Sequence, residues 1–288
     1  MMINRFVDRF SLARNRRLVA VGVIISSLVA FVTSAGVVRA DQLSPEMERL
    51  IEQRVEQGID DALTGESFDL RVEQAILKFI EKQNRARAQQ QQGAAQQAAQ
   101  NVAKVDASTD FIRGNPDAEF SLIEYSDYEC PYCKRFHVTA TQFIQNNPEV
   151  NWVYRHFPLD FHNPGAQKEA EAAECAGYLG GNDAFWNYSD QIYQRTRSNG
   201  KGFPVSNLVP LAAEFGLDRS KFEACLESGQ FRDKVLAQLK NGQQSGVSGT
   251  PGNFLRHRAT GLTIPIQGAQ PLENLQRALA LLKSQVDA

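Results

Sequence analysis

The stretch IEYSDYECPYCKRFH, Ile123 to His137, sets the fold and the chemistry together. FSLIEY (120–125) reads as a strand, and a helical pattern runs from Cys130 to about Asn146. Two cysteines sit where one element hands over to the other. Pro131 falls in the first helical turn, where its missing N–H costs nothing. Unpaired amides and the positive end of the helix dipole then point at the Cys130 sulfur and favour its thiolate. Cys133, one turn on and facing inward, is placed to resolve a mixed disulfide. A stabilised thiolate stabilises the reduced pair, so a lower Cys130 pKa makes a stronger oxidant.

Two other readings of the pair are weaker. A zinc site would use Cys130, Cys133 and His137, but a closed site takes four ligands, commonly from a second paired motif. Cys175 and Cys225 stand alone, so no metal is expected. A purely structural 130–133 bridge would close too short a loop to remove much chain entropy. His137 lies seven residues after Cys130, about 10 Å along a helix axis, and reads as a packing residue.

Working outward, the chain has 288 residues and a formal net charge of −2, which hides an asymmetry. Residues 1–40 hold six Arg and one acid; the rest carries 25 basic and 32 acidic residues. A mildly acidic body lacks the basic footprint of a nucleic-acid binder. Five Arg precede an apolar run from Leu18 to Val38, and VVRA (37–40) offers a cleavage site before Asp41. This marks residues 1–40 as a signal peptide or an N-terminal membrane anchor. Arg before the apolar run sends the remainder out of the cytoplasm in both cases. All four cysteines (130, 133, 175, 225) lie beyond it, as suits an oxidising compartment. Of the three pairings they allow, 130–133 with 175–225 is the simplest.

Residues 41–84 read as a helical arm of two short amphipathic helices, broken at TGES (64–67). RARAQQQQGAAQQAAQ lies within a Gln/Ala-rich linker, 85–106, that is partly helical in propensity. The globular domain spans 107–288, with VNWVYRHF (150–157) as a second strand and a helical insertion over about 164–245. NFLRH (253–257) and LTIPI (262–266) form a closing strand pair, and Pro271–Val286 a last helix. Trp152, Phe185 and Trp186 read as core, and Arg155-His156 as a strand end without assigned chemistry.

RGNPDAEFSLIEYSDYECPYCKRFH resembles the DsbA-like thiol:disulfide oxidoreductases of the thioredoxin superfamily, over about residues 108–287. SGVSGTPGNF (245–254) is similar to the family's cis-proline loop, and IQGAQPLENL (266–275) to the segment before its last helix. The resemblance implies an α/β, thioredoxin-like fold with a helical insertion. It implies an exposed nucleophile at Cys130, a resolving Cys133, and Thr250-Pro251 facing the sulfurs to receive an extended substrate strand. Glu124, six residues before Cys130, matches an acid that many relatives keep beneath the site, where it would relay a proton to Cys133. It further implies a structural Cys175–Cys225 disulfide. Gly252-Asn253 departs from the Thr or Ser plus aromatic of many relatives, which leaves the local groove shape open. Tyr132 in the Cys-Pro-Tyr-Cys motif lacks the positive charge of a histidine there, so the pair is expected to be less oxidising than one with Pro-His.

The expected function is to introduce disulfides into exported proteins, with the Cys130–Cys133 couple as the only redox group and no other cofactor. A membrane redox partner would recycle it. Isomerase or reductase is the alternative, joined to self-association through residues 44–83; a periplasmic chaperone or metal carrier is the alternative of another class.

Overall fold

The computed structural model describes residues 44–64 and 66–288. The run Leu18–Val38, and with it the expected signal or anchor, lies outside the described residues. Among the described residues no helix is long and apolar enough to cross a membrane. The chain divides into two units, one ending at Arg85 and the other running from Ala86 to Ala288.

The first unit holds α1 (Pro45–Thr64) and the start of α2 (Glu66–Ala98). The Ser44 hydroxyl accepts a hydrogen bond from the Met47 amide at 3.3 Å, and Glu46 and Glu48 occupy the positive first turn of α1. The three- and four-residue apolar spacing does produce helices, yet their large side chains stay exposed, Leu50 at 62% and Phe79 at 63%.

The stretch read as a partly helical linker, 85–106, has two parts. Its first part is helical, because Ala, Gln and Arg are good helix formers. Its second part is packed. Ala99 and Val102 are buried in a cluster with Ile123, Tyr125 and Val153. The buried Arg155 guanidinium donates to the Ala103 and Lys104 carbonyls at 3.1 Å each and pairs with Asp110 at 3.0 Å. A buried cation needs such partners, so Arg155 ties this segment down.

The sheet is built from β1 (Phe111–Arg113), β2 (Phe120–Ser126), β3 (Val150–His156), β4 (Gly252–His257) and β5 (Thr263–Gln267), in the order β1-β3-β2-β4-β5. β2 and β3 run parallel and are joined by α3 (Pro131–Asn146), a β-α-β unit. β4 pairs antiparallel with the other edge of β2, and β5 with β4. Three-residue β1 was not legible from periodicity; its antiparallel pairing with β3 defines it.

β2 and β3 are buried along their whole length because both sheet faces are covered. On one face Leu122, Trp152, Tyr154 and Leu255 pack with Phe136, Ala140 and Phe143 of α3 and with Leu275 and Leu279 of α8 (Leu272–Val286). On the other, Ile123, Tyr125, Val153 and Phe254 pack with Val102 and Phe157. Between β3 and β4 lie α4 (Gly165–Arg195), α5 (Leu208–Glu214), α6 (Arg219–Ser228) and α7 (Arg232–Gln244). α4 bends at Gly181, whose φ of 76° suits a residue without a Cβ. Cys175 on α4 and Cys225 on α6 are joined by a disulfide with their Cα atoms 6.0 Å apart.

Candidate active site

The site lies at the carboxyl end of central strand β2. Asp127 shapes the turn that leaves it. Its carboxylate accepts from the Glu129 amide at 2.7 Å, the Leu159 amide at 2.9 Å and His162 Nδ1 at 2.8 Å, and its carbonyl accepts from the Cys130 amide at 3.1 Å. Such side-chain-to-backbone bonds stop the strand and hand the chain to a helix. Cys130 then caps α3 in extended conformation, with Pro131 at the first helical position.

Cys130 and Cys133 are unbridged and both buried. Cys130 was expected to be exposed; it is 4% exposed, because the loop carrying Thr250 lies against it. Its Sγ donates to the Thr250 carbonyl at 3.3 Å. The Thr250–Pro251 peptide is cis. Tyr132, by contrast, is 56% exposed, with the Arg135 guanidinium 5.2 Å from its ring centre.

The two sulfurs ionise in opposite directions. Cys130 is lowered to about 6, first by a hydrogen bond from the Cys133 thiol, then by Thr250 and by the Cys133 and Tyr132 amides, against the cost of burial. The amides at the start of α3 thus add to the effect of the neighbouring thiol. Cys133 is pushed well above the ordinary thiol value by burial and by the Cys130 and Glu124 charges.

Glu124 is fully buried beneath the pair. Burial raises its carboxyl to about 8, against the opposing hydrogen bonds from Ser126 and Trp152. Ser126 Oγ donates to Oε1 at 2.5 Å and Trp152 Nε1 to Oε2 at 3.0 Å. His137 does not face the sulfurs. Its Nε2 meets Asp190 at 2.6 Å, and its ring lies 4.9 Å from that of Trp152.

The arrangement gathers Cys130, Pro131, Cys133, Glu124, Thr250 and Pro251 at one end of β2 and leaves Cys175–Cys225 in the helical insertion. It also adds residues that sequence reasoning did not single out. Ser126 Oγ and the Tyr154 hydroxyl each lie 2.8 Å from the Tyr193 hydroxyl. Behind Cys130, the buried Glu129 carboxylate accepts from the Gly200 and Gly202 amides at 2.9 and 3.1 Å. Glu169 beside it is raised to about 9 by burial and by Glu129. Ser126 stands two residues after Glu124, hence on the same strand face, which is the one signal that could have found it. Tyr193 and Glu169 carry no such signal, since only the packing of α4 brings them in.

Residues 106–280, more than half of the chain, match the family model described as Thioredoxin. The chain belongs to the thioredoxin family. Within that family it is DsbA-like: the crystal structure of Pseudomonas aeruginosa DsbA2 is 29% identical, covers 60% of this chain and 93% of that one, and superposes with a TM-score of 0.54. Two others share the thioredoxin-family fold at lower identity. Salmonella enterica Typhimurium BcfH covers 82% of this chain and 98% of its own, at 18% identity and a TM-score of 0.64. BdbD from Bacillus subtilis covers 65% and 98%, at 18% identity and 0.53. The curated relatives are longer proteins. The Na+/H+ antiporter NhaA 1 of Salinispora arenicola is 32% identical over 154 residues, 54% of this chain but 22% of that protein. The Na+/H+ antiporter NhaA of Herminiimonas arsenicoxydans is 33% identical over 157 residues, again 54% of this chain and 23% of that one. This thioredoxin-family chain therefore spans less than a quarter of the length of those two proteins.

Proposed function

We propose that this chain is an extracytoplasmic thiol:disulfide oxidoreductase that donates the Cys130–Cys133 disulfide to cysteine-containing exported proteins. The observation that carries this reading is the opposed ionisation of the two sulfurs, Cys130 lowered to about 6 and Cys133 raised. A stabilised thiolate is a good leaving group and makes the oxidised pair reactive. Cys130 is the atom that substrate attacks, Cys133 the sulfur released into the interior, and Glu124 the acid that protonates it. Thr250 and Pro251 present a backbone edge for an extended substrate strand, with the Thr250 carbonyl 3.3 Å from Cys130 Sγ marking where that strand would run. The couple itself is the redox group, and a membrane partner would reoxidise it.

The Arg-rich start and apolar run support a periplasmic address, either free after cleavage before Asp41 or held at the inner membrane by residues 18–38. The exposed apolar side chains of residues 44–83 support self-association through the arm. They also favour isomerase as the second reading, since several linked sites suit reshuffling. Light scattering on chains beginning at Asp41 and at Ala107 tests the arm: two monomers would remove it.

The deciding measurement for the main reading is the Cys130–Cys133 reduction potential in glutathione buffers. An oxidase is expected between about −270 and about −120 mV, the thioredoxin and DsbA values. A potential below the thioredoxin value would exclude the oxidase. Cys130→Ser should abolish oxidation of a reduced model substrate; retained turnover would exclude this pair as the reagent, and retained binding alone is what a chaperone or carrier predicts.

A further inference from the structure

Trp152 reaches Glu124 from inside a cage made by three other elements. The His137 ring of α3 meets the indole edge-on with 4.9 Å between centres, the Trp186 ring of α4 lies at 4.8 Å, and the Arg113 guanidinium of β1 sits 5.5 Å from the indole centre. One carboxylate ties this cage together. Asp190, one turn after Trp186 on α4, accepts from His137 Nε2 at 2.6 Å, and both its oxygens accept from Arg113 at 2.8 Å. A carboxylate only accepts, so His137 carries its proton on Nε2. Its Nδ1 is buried without a partner, and among the described residues Asp190 is the one hydrogen-bond partner of that ring. Arg113 is no more firmly held elsewhere: its other bond, to the Trp186 carbonyl, is 3.5 Å long. Arg113 and Trp186 also line an open cavity of about 380 Å³ together with Asp183, so a guanidinium released by Asp190 has room and a second carboxylate to turn to.

We propose that Asp190 is a positioning residue of the redox site: by holding His137 and Arg113 against the indole, it keeps Trp152 Nε1 aimed at the Glu124 carboxyl. The bond it guards is 3.0 Å long, and such bonds weaken steeply once the donor tilts below about 120°. Asp190 itself is 38% exposed, and an ion pair so placed adds little to stability, so its effect is on orientation. Replacing Asp190 by Asn separates two effects by sign. Loss of its charge through space would leave Arg113 unopposed and lower the Glu124 midpoint, since nearby positive charge favours a carboxylate. Loss of aim removes the indole donor and raises that midpoint. The titratable groups that face Glu124 are Cys130 and Cys133 on α3, Tyr154 on β3 and Tyr193 on α4, and the variant keeps them all. Only the link from this bond to the reaction rate rests on the reading of Glu124 as the acid of the site.

The test is infrared titration of the Glu124 carboxyl in full-length protein, oxidised so that neither sulfur titrates, with the band assigned by its loss in Glu124→Gln. In Asp190→Asn the midpoint should rise above the wild-type value, and no further than it rises in Trp152→Phe. Adding Asp190→Asn to Trp152→Phe should give no further rise, because the donor is already gone. An unchanged or lowered midpoint in Asp190→Asn overturns the inference, and so does a further rise in the double variant. The second readout is oxidation of a reduced dithiol peptide across the same pH range, with rates expressed per substrate thiolate. The fall in rate as Glu124 loses its proton should move to higher pH in Asp190→Asn, in step with the midpoint. If the midpoint rises while the rate profile stays where it was, the acid role of Glu124 falls and the positioning by Asp190 stands.

Discussion

Trp152 Nε1 donates a hydrogen bond of 3.0 Å to Glu124 Oε2, across the parallel pair β3–β2 and inside the closed core. The indole therefore acts on the buried Glu124 carboxyl beneath the two sulfurs. A donor held against a carboxylate favours its charged form, while burial opposes it. Burial wins, leaving Glu124 at about 8.

Removing that donor should raise Glu124 further. In Trp152→Phe, infrared titration of the Glu124 carboxyl should find its midpoint above that of the wild type, and an unchanged midpoint would discount the hydrogen bond. The stability consequence follows from the sign. Because the folded value lies above the unfolded one, the contribution of Glu124 is fully present below about pH 4.5 and is lost as pH rises towards about 8. Glu124→Gln should therefore stabilise the protein by up to a few kcal/mol at alkaline pH and by little in acid. Urea unfolding of both proteins near pH 4.5 and pH 8.5 reads the difference.

The Cys130 thiolate should depend on Cys133 more than on any other group. Cys133→Ala is expected to move the midpoint of thiolate absorbance at Cys130 up from about 6, and Thr250→Val to move it by less. The depressed folded value means that the thiolate stabilises the reduced fold at high pH and that this support is lost as pH falls through about 6. The reduced protein should thus melt above the oxidised one at neutral pH, with the gap closing in acid. Calorimetry of both redox forms checks it.

Gly252 follows Pro251 at the start of β4, and a Cβ there would lie 2.6 Å from Val247 Cγ1. Gly252→Ala should displace the loop that holds Thr250 against Cys130, costing about 1–3 kcal/mol as overpacking does. It should also slow substrate oxidation, and Val247→Ala in the same chain should restore both. Failure of that rescue would show that the glycine is needed for its backbone rather than for the close approach.

The Cys175–Cys225 disulfide closes a loop of 50 residues between α4 and α6. Replacing both cysteines by Ala should cost about 4 kcal/mol on the chain-entropy account, read by urea unfolding. The Cys130–Cys133 potential should stay unchanged, because the bridge lies within the helical insertion and contributes no group to the redox pair.

What the sequence determined by itself was local. Cys130 at a strand-to-helix junction, Pro131 in the first turn, and Glu124 on the strand below are set by spacing, and the β-α-β order and helical insertion follow from periodicity and its breaks. The tertiary structure decided everything that depends on distant partners. The depth of Cys130 beneath Thr250 comes from a loop 120 residues away. The Trp152 bond to Glu124 and the meeting of Ser126 with Tyr193 come from packing β3 and α4 onto β2. So does the seating of Ala99 and Val102, in a stretch whose composition shows no core. Hydrogen bonds and burial act over a few ångströms, and short range in space carries no mark in sequence once the partners lie far apart along the chain.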